Sequence, residues 1–302
     1  MNIHPKFRVG WLLFTVPFVS TLSVSVVPSR AATLSSATTL VNLTNFSTNA
    51  ESSSVSVDTA ALAISPVEST SDSDILDDLL VEDFISAEAV DGSVAATADF
   101  TTVAFFPASG SSFTSSETDN EAFGIGESYF GQSYTESTVL ANFFLNPATG
   151  STQIFSFDFN IFWGLETFAT EFYEASTAIA DASLIVCGRV SLEENPLFCD
   201  TLSTFGKIES SNANVVDKFT FQQSDAFSVY LLNNTLISEA PNVKQADFFV
   251  LGSYLREFTA PIYLTLTEVQ YSESVVSAPE PSVTVALLGL SAVAVALGKK
   301  KK

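Results

Sequence analysis

The sequence predicts a mainly β protein: an antiparallel β-sandwich of jelly-roll type over residues 99–276, behind a flexible stretch and followed by one short C-terminal membrane helix. Three observations carry this. Side chains alternate apolar and polar over many short stretches, most clearly where Phe155, Phe157, Phe159 and Ile161 point one way and Ile154, Ser156, Asp158 and Asn160 the other. Turn chemistry separates those stretches, as in Asn146-Pro147-Ala148-Thr149-Gly150, Asn233-Asn234 and Thr259-Ala260-Pro261. No helix-length periodic segment intervenes, so parallel βαβ folding is not expected.

In chain order, residues 1–31 read as a signal peptide. Lys6 and Arg8 form a short basic region, an apolar stretch runs from Val9 to Val27, and Ser29, Arg30 and Ala31 place small residues where signal peptidase cuts, after Ala31. Residues 32–98 are Ser, Thr, Ala and acid with Phe46 and Phe84 as their aromatics, a composition from which an ordered core is hard to build. This part is expected to be flexible. Its one island is a short amphipathic helix near 74–87, where Leu76, Leu79, Leu80 and Phe84 recur at helical spacing. Asp72-Ser73-Asp74 starts like a calcium loop, but Leu76 and Asp77 stand where the loop needs a further oxygen ligand and a Gly.

Strands are then expected at 100–106, 128–135, 137–145, 153–161, 182–190, 215–222, 226–232, 247–258 and 261–271. The segment 166–180 reads as either helix or bent strand. Residues 277–302 form a tripartite tail. Pro279-Glu280-Pro281 is a stiff extended peptide, because each Pro fixes φ and holds its predecessor out of the helical region. Residues 283–297 are apolar and would make a helix of about 22 Å, short for a membrane span unless the lysine stems reach to the headgroups. Lys299, Lys300, Lys301 and Lys302 are the membrane stop signal and hold that end in the cytoplasm.

This tail resembles the PEP-CTERM sorting signal of Gram-negative bacteria, with Ala278 where Val is common and Lys where Arg is common. The resemblance covers 278–302. It implies processing near Pro279, Glu280 and Pro281 by an exosortase-like membrane enzyme, and a route through the inner membrane to the cell surface or the extracellular space.

Charge narrows the partners. The chain has 12 basic and 34 acidic residues. Seven of the basic ones lie in the leader and the lysine tail, so Arg189, Lys207, Lys218, Lys244 and Arg256 face all the acids. Such a surface repels nucleic acid and anionic lipid. It suits divalent cations such as calcium, cationic partners, or plain solubility. Cys187 and Cys199 read as a disulfide in an oxidising compartment or as two buried thiols; a metal pair lacks further ligands.

His4, inside the leader, is the single histidine. That excludes Ser-His-Asp and Cys-His catalysis and imidazole-bound zinc in the exported part. A carboxylate pair is the one remaining catalytic option, with Glu166 and Asp158 near Trp163 as first choice. Trp163, Tyr173, Tyr230, Tyr254, Tyr263 and Tyr271 are candidate sugar platforms. The resulting expectation is an exported surface or matrix protein, structural or adhesive and not an enzyme. The alternatives are a lectin-like module binding extracellular polysaccharide, with calcium as a possible bridge and no other cofactor, and a polysaccharide-acting enzyme.

Overall fold

A computed structural model describes residues 32–278 except 66–68, 79–81, 92–93, 106–112, 126–127, 171–173, 192, 211–216 and 241. The expectations for Ala31, Pro279, Glu280, Pro281, an apolar helix over 283–297, Lys299 to Lys302 and a leader over 1–31 therefore lie outside the described residues.

The described chain is strand throughout: β1 (Ala32–Thr44), β2 (Ser52–Ile64), β3 (Ser69–Asp78), β4 (Glu82–Asp91), β5 (Val94–Phe105), β6 (Phe113–Ile125) and β7 (Tyr129–Leu145). β8 (Gln153–Ala169), β9 (Ala175–Arg189), β10 (Phe198–Ser210), β11 (Lys218–Gln223), β12 (Phe227–Ala240), β13 (Val243–Phe258) and β14 (Ile262–Ala278) follow. They form two seven-stranded sheets, β12-β13-β8-β1-β6-β5-β4 and β11-β10-β9-β14-β7-β2-β3. Every neighbouring pair is antiparallel. The sheets stack face to face, with β8 over β9, β1 over β14 and β9, β6 over β14 and β7, and β5 over β7 and β2. Among the described residues no helix is long and apolar enough to cross a membrane.

The predicted fold class holds as a mainly β, two-sheet antiparallel architecture, but its boundary moves. Residues 32–98 were expected to be flexible, yet β1 sits between β6 and β8 in the first sheet and β2 between β7 and β3 in the second. The reason is that small polar side chains bury at little cost once their hydroxyls find partners. Ser35, Ala37, Thr39, Val41 and Leu43 all point inward, with Thr39 as the exception whose Oγ1 has no hydrogen-bond partner among the described residues. Ser35 Oγ donates to the Thr177 carbonyl at 2.5 Å, and the Thr33 hydroxyl lies 2.6 Å from that of Tyr129. β-Branched Thr and Val then favour the pleated conformation.

The helix expected near 74–87 is also corrected. Its described residues belong to β3 and β4, with Leu76 opposite Val57 and Phe84 opposite Thr101. Pairing with neighbours already in extended geometry overrides a four-residue apolar spacing, which two short strands satisfy as well. The ambiguous 166–180 stretch supplies the end of β8 and the start of β9. The stretches 128–135 and 137–145 fuse into the single strand β7.

The largest core lies where β8 crosses the second sheet. Trp163 is fully buried, stacked on Phe248 at 5.0 Å and on Phe219 at 5.8 Å. Gly206 on β10 makes room for it: a Cβ there would meet the indole at 2.5 Å. Two smaller apolar clusters lie elsewhere, one of Ala61, Ala63, Val94, Ala96, Ala122, Tyr129, Val276 and Ala278, the other of Val55, Val57, Phe100 and Val139. Along β6, β7 and β14 the inward positions turn polar instead: Thr114, Ser116, Thr118 and Asn120 face Glu268, Gln270, Ser272 and Ser274, with Ser133, Thr135 and Ser137 alongside.

Candidate functional site

The outer face of the first sheet collects carboxylates by register. On β6, Glu117, Asp119 and Glu121 alternate with the inward residues and so share the outer face. Asp99 of β5 lies opposite Asp119, and Thr38 of β1 flanks Asp119 on its other side. One row over, Glu121, Ser36 and Glu166 follow one another across β6, β1 and β8, and Asp247 of β13 lies opposite Gly164. Directly opposed side chains in such rows are about 5 Å apart.

Partial burial is the first cause that raises the carboxyls of Glu117, Asp119, Glu121, Glu166 and Asp247 above their ordinary values. Repulsion follows: Asp119 acts on Glu117 and Glu121, Asp99 on Asp119, and Asp247 on Glu166. Thr38 opposes this by donating to Asp119 Oδ1 at 3.0 Å. The two basic residues on strands of this sheet serve elsewhere. Lys244 is tied to Asp217 at 2.9 Å and Arg256 to Asp200 at 2.6 Å. The face is thus a field that attracts cations and takes up protons more readily than free carboxylates would. Among the described residues no group of three or more His, Cys, Asp or Glu has the arrangement of a metal centre.

At one end of the sandwich, Cys187 on β9 and Cys199 on β10 are directly opposed and joined, with S–S 2.01 Å. The disulfide alternative is therefore the one realised. Beside it, Asp200 accepts from Arg256 Nη1 and from the Tyr254 hydroxyl at 2.9 Å, while the Arg256 guanidinium lies 3.5 Å over the Phe198 ring. Burial, then the Asp200 carboxylate, pushes the Tyr254 phenol up. A shallow hollow here is lined by Asp200, Ser224, Asp225, Ala226 and Arg256. Ser224 Oγ is held by the backbone of Thr201, accepting from its N–H at 2.7 Å and donating to its carbonyl at 3.2 Å.

The carboxylate pair proposed for glycoside chemistry does not form. Asp158 and Glu166 lie on one strand, eight residues apart and so roughly 26 Å apart at about 3.3 Å per residue, against the roughly 5–10 Å such chemistry needs. Asp158 instead accepts from Asn45 Nδ2 at 2.7 Å. Trp163 and Tyr254 are buried in the core. Tyr263 packs against Phe144, the rings tilted with centroids 4.6 Å apart, and the Tyr271 hydroxyl donates to Glu273 at 2.7 Å. Tyr173 lies outside the described residues. Of these candidates among the described residues, Tyr230, 65% exposed on β12, is the one that presents its ring to solvent, with its hydroxyl on Ser253.

Sequence reading missed the buried carboxylate of Glu268. It accepts from Ser116 Oγ, from Gln270 Nε2 at 2.7 Å and, more distantly, from Thr114 Oγ1 at 3.4 Å. Burial pushes it up to about 7 against those three hydrogen bonds. Neighbouring pairs continue the seam: Ser272 Oγ donates to Thr118 Oγ1 at 2.6 Å, and Thr135 Oγ1 donates to Asn120 Oδ1 at 3.2 Å. The signal was present, because the inward series Ile262, Leu264, Leu266 runs on at period two into Glu268, Gln270, Ser272 and Ser274.

No family model matches the chain, and no curated protein does. Among solved structures, human GIVD cytosolic phospholipase A2 aligns at 6% identity and a TM-score of 0.09, over 74% of this chain and 33% of that one. The chain thus spans about a third of that protein's length, and so low a score carries no argument about fold or activity.

Proposed function

We propose that this chain is an exported, exosortase-sorted protein of the cell surface or extracellular matrix, with a structural or adhesive and non-catalytic role. The observation that carries the reading is the ordered tail: Pro279-Glu280-Pro281, the apolar run 283–297, then Lys299, Lys300, Lys301 and Lys302. A membrane helix needs only the last two parts. The rigid Pro-Glu-Pro peptide is what an enzyme could read. The Cys187–Cys199 bond supports the same reading, because disulfides persist in oxidising compartments. In this reading signal peptidase cuts after Ala31 and an exosortase-like enzyme acts near Pro279, releasing a sandwich whose acidic outer face suits a cation-rich matrix. A jelly-roll-like winding is consistent with the chain's repeated passage between sheets, its first strand β1 and last strand β14 each lying mid-sheet.

The test is the intact mass of the protein from cells and from medium, for the natural sequence and for Glu280→Ala. The natural form is expected to start near Ala32 and to lack the lysine tail, whereas Glu280→Ala is retained at full length in the inner membrane. Equal processing of both forms would refute the sorting reading.

A further inference from the structure

The four edge strands of the two sheets are not alike. β11 is six residues long and begins with Lys218. β3 carries Asp72, Asp74, Asp77 and Asp78, and β4 carries Glu82, Asp83, Glu88 and Asp91. Shortness and charge are the usual devices that keep an edge from pairing with another chain. β12 has neither. It runs 14 residues, and from Phe227 to Leu236 it holds no charged residue and no Pro, in a chain of 34 acids.

Its exposure is as distinctive as its composition. Residues 230–234 are exposed in succession, so neither face of the strand is covered there. Leu231, Leu232 and Leu236 are each about half exposed, at 51%, 49% and 47%. Leu232 lies opposite buried Val250 and Leu236 opposite buried Ala246, so both stand on the side that continues the sandwich interior. The short β11 leaves that side open.

We propose that β12 pairs edge to edge with β12 of a second copy of this chain, antiparallel, about a two-fold axis through Asn234. A two-fold axis perpendicular to a sheet pairs residues of equal parity, because opposed side chains must share a face. With the axis at Asn234, Leu232 meets Leu236 of the second copy and Leu236 meets Leu232. Four half-exposed leucines then close over the axis and extend the first sheet across both copies. An axis one residue earlier would set Leu232 against Asn234 instead. Charge favours the same occupant: the chain is strongly acidic, the stretch Phe227 to Leu236 is uncharged, and with the axis at Asn234 the Glu239 of each copy lies opposite Val229 of the other rather than opposite a carboxylate. The inference stands apart from the sorting reading, because it rests on β12 alone.

The experiment uses the full-length chain in mild detergent, its mass read by light scattering after gel filtration. The protein is expected at twice the mass of one chain, and Leu232→Lys with Leu236→Lys at the mass of one, with an unchanged circular dichroism spectrum. Register is tested separately. The natural cysteines are bonded to each other, so a cysteine introduced by Asn234→Cys is the sole free thiol. It is expected to cross-link two chains under a mild oxidant, and a cysteine introduced by Gln222→Cys on β11 is not. A single-chain mass for the natural protein would overturn the proposal. So would a dimer that Asn234→Cys fails to trap, or one lost on removal of residues 279–302 but indifferent to the lysines.

Discussion

Replacing Glu268 by Gln should change how the stability of this protein depends on pH. Glu268 is 1% exposed in the interior between the sheets. Its cross-strand neighbours, Val139 on β7 and Leu184 on β9, are apolar, and Thr114 and Ser116 face it from β6, so no charge among the described residues compensates it. Its carboxyl titrates at about 7 in the folded protein against 4.5 ordinarily. Below 4.5 both folded and unfolded chains hold the proton, and the contribution of Glu268 to stability is fully present. As pH rises from there the unfolded chain ionises first, so stability falls, and the loss is complete once pH has passed about 7. A gap of that size corresponds to about 3 kcal/mol. Gln has the same shape and carries no charge, and the buried Oε1 of Gln270, without a partner among the described residues, can accept from the new amide. Urea unfolding of both proteins at about pH 5 and about pH 8 measures the effect; the variant should gain about 2–3 kcal/mol on the natural protein between the two conditions. Glu117, Asp119, Glu121, Asp181 and Asp247 are raised as well, but they act equally in both proteins and cancel in the difference. A stability difference that stays constant across that range would refute the reasoning, because it would mean Glu268 keeps the same charge folded and unfolded.

Two further outcomes follow from packing and from chain entropy. Replacing Cys187 and Cys199 together by Ala, which opens a link between residues 12 apart in sequence, should lower stability by about 3 kcal/mol in the chain-entropy account; no change in the urea midpoint would contradict it. Gly206→Ala should cost about 1–3 kcal/mol, because the new Cβ meets an indole already clamped between Phe219 and Phe248, and thermal unfolding at the natural melting temperature would show that the ring can yield.

The sequence by itself determined what depends on neighbours along the chain. Period two in 153–161 made a strand whose Phe155, Phe157 and Phe159 face the core, and the turn residues from Asn146 to Gly150 ended β7 where they were expected to. The positive φ of Gly150 is the local detail such a turn requires. That His4 is the single histidine bounded the chemistry in the same way, because composition survives folding. What the tertiary structure decided is which faces meet. Ser35, Thr39 and Thr59 are polar by any local scale, yet they are buried, because strands from distant parts of the chain flank them. The same cross-strand register sets Glu121 and Glu166 in one row, separates Asp158 from Glu166, and brings Cys187 opposite Cys199. Glu268 is the clearest case. Its alternation is that of any half-buried strand, and only the sheet stacked above it, with Thr114 and Ser116 as hydrogen-bond donors, turns an ordinary glutamate into a buried carboxylate without a counter-ion among the described residues. A sequence records which side of a strand a residue takes, whereas the free energy of a charge depends on what covers that side.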